Sequence, residues 1–331
     1  MNKAFAGAIV TVCVSLCACV HSETQEQTRH IFAMDTVMDI TVYTESDEAE
    51  EILLAAENEI RRIDALLDRK NTVSEVYNIN RKKIENISWE MNSVLSAAQE
   101  ISKRTDGAFD ITIAPVMDAW GFYDGEFKVP SDDELKAAMR GVGYKKILME
   151  DSMIEMPPDT SIDLGGIGKG YASDRVVELL HSSGITSAVI SLGGNVHAIG
   201  KRKDGNNFNI GITDPHNKEQ VIGIIQVSDK AVVTSGGYQR YFESGGKTYH
   251  HIIDSKTGVS AASGLASVTI VADKGILADG LSTAIYVMGL EKGIELWRRS
   301  NDFEAVFVLE DGQIYITEGI KGIENAVRIN R

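Results

Sequence analysis

No cysteine lies beyond Cys19, because all three (Cys13, Cys17 and Cys19) fall near the amino terminus. Disulfides, thiolate catalysis and cysteine metal sites are therefore excluded from the body of the chain. Proline is also scarce, at five in 331 residues, and no proline-rich linker, fixed-period repeat or low-complexity tract divides the sequence. Domain boundaries are weakly marked as a result, and an internal division is expected near residue 200. Positive charge is in deficit, with 33 Lys and Arg against 48 Asp and Glu and a formal net charge of -15. A surface that acidic repels phosphate backbones and makes nucleic acid a poor partner. The apolar run near the amino terminus is too short to span a bilayer comfortably as a permanent helix.

With 43% hydrophobic and 24% charged residues the chain can still bury a core of ordinary size and reads as globular. Lys3, the apolar stretch Ala4–Val14 and Leu16-Cys17-Ala18-Cys19 read as an export signal. Leu at -3 and Ala at -1 before a cysteine resemble the bacterial lipoprotein processing box, in which the cysteine becomes the lipidated first residue; Cys17 at -2 is unusual there. A secretory signal cut near Ala18 is the alternative, and on either reading the protein leaves the cytoplasm. Residues 1–18 are thus expected as a signal peptide, Cys19 as the lipidation site, 19–30 as a polar tether and 31–331 as the folded body.

Val37–Thr44 alternates like a strand, and Glu48–Arg69 carries apolar residues at helical spacing. Further helices are expected at Asn92–Arg104, after Ser131 with Glu134 completing a capping box, at Tyr171–His181, at Ile276–Met288 and at Glu291–Ser300. Strand-like runs recur at Ser187–Leu192, Phe208–Ile212, Ile222–Val227, Tyr249–Ile253, Ser267–Val271, Ala305–Leu309 and Gln313–Thr317, which makes the body mixed α and β.

Asp163–Ala172 reads DLGGIGKGYA. Its glycines allow close backbone approach, and a helix start would offer free N–H groups to an anion. Gly170 after Lys169 rules out a P-loop, and no G-x-G-x-x-G register is present, so a tight strand-to-helix turn and a binding loop are both open. Asp279 and Thr283 stand four apart on a helix, facing the same way, with the hard oxygens that Mg²⁺ or Ca²⁺ prefers. Capping by Asp279 and back-bonding by Thr283 are the alternative. Thr105–Asp110 (TDGAFD) and His250–Gly258 (HHIIDSKTG) place polar groups beside apolar ones, as a pocket edge requires. His250 and His251, adjacent on an expected strand, should face opposite ways.

In this order, Met34-Asp35-Thr36, SEVYNIN at 74–80, GAFD at 107–110, DLGGIGKGYA at 163–172, LGGN at 192–195, TSG at 234–236, HIID at 251–254 and ADGLSTA at 278–284 resemble the ApbE family of FAD:protein FMN transferases. The resemblance implies an α+β fold in two joined parts with mixed sheets and FAD held between them. It places Met34, Tyr77, Ala108, Phe109, Asp110, Asp163, Lys169 and Ile253 against the dinucleotide, and a Mg²⁺ on Gly166, Asp279 and Thr283. It also implies metal-dependent attack by a threonine or serine hydroxyl of an exported or membrane redox protein on the FMN phosphorus, with AMP leaving and His251 as base or positioning group. FAD hydrolysis to FMN and AMP, or non-catalytic FAD binding by a lipoprotein, are the alternatives. The implied location is a bacterial membrane, through the lipid anchor, facing the periplasm. Gly168 stands where many relatives have Ala, and Asn195 where many have Asp.

Overall fold

Alternating residues along Thr36–Thr44 bury Met38, Ile40 and Val42 on one face and leave Val37, Asp39, Thr41 and Tyr43 more exposed on the other, the pattern of a half-covered strand. The structure, a computed structural model, describes residues 24–82 and 84–331, so the expected signal peptide and Cys19 lie outside the described residues. The strands in chain order are β1 (Gln25–Ala33), β2 (Thr36–Thr44), β3 (Leu148–Glu150), β4 (Met153–Glu155), β5 (Ala188–Leu192), β6 (Asn195–Ile199), β7 (Phe208–Thr213) and β8 (Val221–Val227). They continue as β9 (Lys230–Gly236), β10 (Tyr241–Ser244), β11 (Lys247–His250), β12 (Leu265–Ala272), β13 (Phe303–Leu309), β14 (Ile314–Thr317) and β15 (Val327–Ile329). The helices are α1 (Ala49–Leu67), α2 (Glu75–Asn80), α3 (Trp89–Arg104), α4 (Ala114–Trp120), α5 (Asp132–Met139), α6 (Gly168–Ser182), α7 (Gly275–Met288) and α8 (Leu290–Arg298).

One nine-stranded sheet, ordered β1-β2-β5-β6-β9-β12-β13-β14-β15, keeps its strands in chain order, with longer connections between β2 and β5, β6 and β9, and β9 and β12. Its neighbours are antiparallel except β14 and β15. Pairing of β6 with β9 carries the sheet across the division expected near residue 200. Helices α1, α3, α6, α7 and α8 bury their apolar stripes in the largest core, against one sheet face. The β7–β8 ribbon covers part of the other face, packing Phe208 and Ile225 near Val232 and Val306. A third cluster, built on Trp120, Phe122 and Ile253 with Phe242 and Tyr249, stands beside the sheet. Among the described residues no helix is long and apolar enough to cross a membrane.

Two expectations change. Gln25–His30, read as tether, are the first part of β1, paired in register with His30 opposite Asp39 and Gln25 opposite Thr44. Their polarity suits an edge strand, most of whose side chains meet solvent, and Arg29 ties the strand to Glu50 and Glu57 of α1. The strand expected over Tyr249–Ile253 ends at His250, so His251 and Ile253 belong to the segment that leaves it.

Helices α6 and α7 lock each other's amino termini. Asp174 of α6 accepts the N–H groups of Gly275 (2.7 Å) and Ile276 (3.0 Å), while Asp279 of α7 accepts that of Gly170 (2.8 Å). Each carboxylate satisfies N–H groups that a helix start leaves without an intrahelical partner. The approach demands glycine at the crossing, since a Cβ on Gly170 would stand 2.3 Å from the Gly275 carbonyl oxygen. Gly170→Ala is therefore expected to cost about 1–3 kcal/mol through overpacking, measurable as a lower midpoint in urea denaturation; an unchanged midpoint would show that the helices can separate freely.

Candidate active site

Two hairpin turns at one end of the sheet form one side of a cleft of about 660 Å³. Met34 and Asp35 join β1 to β2, and Gly193 and Gly194 join β5 to β6; all four have positive φ, from 48° to 91°. Two-residue hairpin loops favour such angles, which glycine adopts without cost and methionine does not. Met34 is held in its left-handed conformation by donating its N–H to the Asp64 carboxylate at 3.0 Å. Gly193 is required for a second reason, because a Cβ there would stand 2.6 Å from the Thr36 side chain.

A further part of the lining is fixed by Arg69, a residue that the sequence motifs did not single out. Its guanidinium bonds Asp163 at 2.9 Å and both oxygens of Asp118, and lies 4.2 Å from the centre of the Tyr123 ring. The other Asp163 oxygen accepts the Gly165 N–H at 2.8 Å, so this carboxylate shapes the start of the glycine-rich segment. Tyr123 is anchored in turn by donating its hydroxyl to Asp68 at 2.9 Å. The signal that could have found Arg69 is its position directly after the long amphipathic helix, where a charged residue faces inward.

The floor is built from the α6–α7 junction. Asp279 is 5% exposed and lines the cleft. Burial raises the pKa of its carboxyl, opposed by the positive charge of Lys169 and by the Gly170 N–H. Thr283, one turn along α7, reaches Ser235 Oγ at 3.4 Å. A Cβ on Gly166 would lie 3.7 Å from Thr283 Oγ1 and 3.1 Å from the Phe109 ring, so these three residues are close neighbours.

His251 is half-buried in the cleft wall and Lys169 lies within electrostatic reach of it. Its Nδ1 is 3.1 Å from the Arg240 carbonyl oxygen. A carbonyl only accepts, so Nδ1 carries the proton and Nε2 keeps a lone pair. Burial, with Lys169, His250 and Arg240 acting in the same direction, pushes the imidazole down to about 4 against the pull of that hydrogen bond. His250 turns elsewhere, to the Ala261 carbonyl at 3.1 Å and the edge of Tyr286.

Met34, Ala108, Phe109, Asp110, Asp163, Gly166, Lys169, His251, Ile253, Asp279 and Thr283 all line this cleft. The Asp110 carboxylate is engaged within the protein, accepting from Thr112 N–H and hydroxyl and from Tyr144 N–H at 2.6–2.9 Å. Tyr77 stands apart in α2, its N–H capped by Ser74 and its ring 5.5 Å from the Arg81 guanidinium, and does not line the cleft. Asn195, also on the cleft, is 1% exposed and has neither amide atom bonded among the described residues. No group of three or more His, Cys, Asp or Glu side chains is gathered for a metal among the described residues.

The fold and cleft define a mixed α+β protein in which one continuous sheet and two interlocked helices supply the lining of one large cleft. The chain belongs to the ApbE family, whose sequence profile matches residues 34–307. It is 31% identical over 265 residues to the FAD:protein FMN transferase of Klebsiella pneumoniae, covering 78% of this chain and 82% of that one. It is 30% identical over 322 residues to the FAD:protein FMN transferase of Haemophilus influenzae, covering 91% and 92%. Its structure is similar to the crystal structure of the ApbE protein of Thermotoga maritima, with a TM-score of 0.83 at 34% identity over 89% of this chain and 98% of that one. The flavin transferase ApbE of Vibrio cholerae superposes with a TM-score of 0.77 at 25% identity, over 89% and 98% of the two chains.

His251 and His197 are both pushed down to about 4, chiefly by burial. Between pH 6.5 and about 4 the unfolded chain binds protons at these positions that the folded chain does not, so each takes stability away as pH falls through that window and neither does so above it. Imidazole NMR from pH 7 to 4 is expected to show both rings neutral until about pH 4; a His251 midpoint near 6.5 would contradict the half-buried, Nδ1-bonded arrangement.

Proposed function

We propose that the chain cleaves FAD and moves its FMN half onto a threonine or serine hydroxyl of an exported or membrane-bound redox protein, releasing AMP. The observation that carries this reading is the convergence of the glycine-rich start of α6, the Asp279–Thr283 helix face and the unprotonated Nε2 of His251 on one cleft. Relatives named FAD:protein FMN transferases over most of their length support it. FAD would lie with Met34 and the glycine hairpin on one side and Phe109 and Ile253 on the other, its phosphates near Lys169.

The balance of the reaction is simple. The hydroxyl oxygen bonds to the FMN phosphorus, the bond from that phosphorus to the bridging oxygen breaks, and AMP leaves with the oxygen. Nε2 of His251, free to accept because Nδ1 is committed to the Arg240 carbonyl, takes the hydroxyl proton. Lys169 offsets negative charge gathering on the phosphates, and the wall formed by Phe109 and Ile253 keeps competing water from the reacting hydroxyl.

The donor set fits a magnesium ion. Asp279 is a buried carboxylate whose charge burial penalises, Thr283 offers a hydroxyl beside it, and the neighbouring Gly166 brings a backbone carbonyl. Hard oxygen ligands, few in number and completed by substrate phosphates, are what Mg²⁺ accepts. When bound, the ion would supply Lewis-acid stabilisation of charge on the pyrophosphate oxygens. The motif ending in Cys19 supports export and lipid anchoring to a bacterial membrane, with the cleft facing the periplasm.

Incubation with FAD, Mg²⁺ and a threonine peptide, followed by mass spectrometry, is expected to show one FMN added to the peptide per AMP released, and nothing in EDTA. Asp279→Ala is expected to slow AMP release at least about 100-fold. Free FMN and AMP alone would make the chain a hydrolase, and intact FAD a binding protein.

A further inference from the structure

Three hydroxyls and a carbonyl run in a row from the cleft into the core. Thr283 Oγ1, on the cleft, lies 3.4 Å from Ser235 Oγ, which lies 2.8 Å from Ser282 Oγ. Ser282 in turn donates its hydroxyl to the Asp279 carbonyl at 2.9 Å. Ser235 stands in β9 opposite Val268 of β12, and that pairing fixes its place against α7. It is 8% exposed and lines the cleft, whereas Ser282 is fully buried and is no part of the lining. Neither serine has a task in the transfer chemistry as described so far.

Each hydroxyl has one proton to give and a carbonyl has none, which fixes the direction of the whole row. The Ser282 proton is committed to the Asp279 carbonyl, so Ser235 is the donor in its contact with Ser282. The Ser235 proton is then committed as well, and Thr283 is left as the donor to Ser235. Among the described residues the Thr283 hydroxyl has no other hydrogen-bond partner. Back-bonding to the Asp279 carbonyl, a common arrangement for a helical threonine, is closed to it: that oxygen already takes the Thr283 N–H along the helix and the Ser282 hydroxyl on its two lone pairs. With its proton turned to Ser235, Thr283 Oγ1 has both lone pairs left to offer, and Gly166 is its neighbour on the cleft.

We infer that Ser235 and Ser282 are positioning residues for the cation: they form a one-way hydroxyl chain that draws the Thr283 proton away from the metal position and presents Thr283 purely as an acceptor. The inference rests on the magnesium reading above. A cation is attracted by oxygen lone pairs and repelled by a hydroxyl proton, so a threonine free to rotate about its C–O bond is a poorer ligand than one whose proton is held elsewhere. Groups that orient a ligand without touching the metal are worth about 10- to 100-fold in affinity. Ser282 thus governs metal binding from inside the core.

The test is the Mn²⁺ affinity of the mature chain with ADP bound, from water-proton relaxation against a protein-free ADP control. Oxygen ligands suit Mn²⁺ as they suit Mg²⁺, and ADP supplies a pyrophosphate with no FMN to transfer. Ser235→Ala and Ser282→Ala are each expected to weaken Mn²⁺ binding about 10- to 100-fold, while Ser235→Thr, which keeps the hydroxyl, stays near the unaltered chain. In a Thr283→Val background, where no hydroxyl remains to be oriented, the same two alanine changes should have no further effect. Weakening by the same factor in that background would show that the serines act on the fold at large and would overturn the inference. Unchanged affinity in Ser282→Ala would overturn it too, because only a chain that runs through Ser282 makes that residue matter. If Ser282→Ala does not fold, Ser282→Cys, a weak donor of similar size, takes its place and must weaken Mn²⁺. Equal affinity in the unaltered chain and in Asp279→Ala would remove the magnesium reading and the inference with it, whereas FMN transfer to a peptide is read separately and stands or falls on its own.

Discussion

The structure depends on the place where α6 and α7 meet without side chains between them. Gly170 and Gly275 let the two backbones approach so closely that Asp174 and Asp279 can each cap the other helix. A helix start leaves N–H groups without intrahelical partners, and burying them unpaired costs about as much as the hydrogen bonds that a core can least spare. The crossing solves this for both helices at once. It also sets Asp279 on the cleft floor, with Thr283 a turn away, so the packing problem and the chemical site share one solution.

Electrostatic order in the cleft follows a similar economy. Arg69 gathers Asp118, Asp163 and the face of Tyr123 around one cation, and through Asp163 it shapes the turn at Gly165. Three acidic or aromatic groups that would otherwise move independently are thereby held together by one planar, forked donor, a geometry that lysine could not reproduce. The cleft can hold more carboxylates than cations and still present Lys169, because Asp64, Asp68, Asp110, Asp163 and Asp279 each already accept hydrogen bonds from neighbours.

Much of this was legible in the sequence, for physical reasons that differ by element. Strongly periodic segments such as α1 and β2, and the Ser131–Glu134 capping box of α5, announce themselves through side chains whose burial or hydrogen bonding is local. The first part of β1 was missed because an edge strand needs little apolar alternation; what orders Gln25–His30 is pairing with β2 and the ion pairs of Arg29. The strand ending at His250 could not be delimited from apolar content alone, since Ile252 and Ile253 are buried by the loop packing that follows. In the site, family motifs brought Met34, Lys169, His251, Asp279 and Thr283 to one cleft, whereas Tyr77 lies outside it. Arg69 went unseen because its role consists of contacts with residues 49 and 94 positions away, which no local pattern records. Spacing suggested that Asp279 either caps or ligates; the structure has it capping a helix other than its own.

The reciprocal caps also impose an order in time. Gly170 receives its cap from a residue 109 positions later in the chain, so during synthesis α6 is complete long before its amino terminus can be satisfied. Until α7 has emerged, the glycine-rich segment has no floor beneath it and Lys169 has no buried carboxylate to face. The site closes late and all at once. A nascent chain therefore lacks part of the cleft lining, Asp279 and Thr283, until α7 has been made.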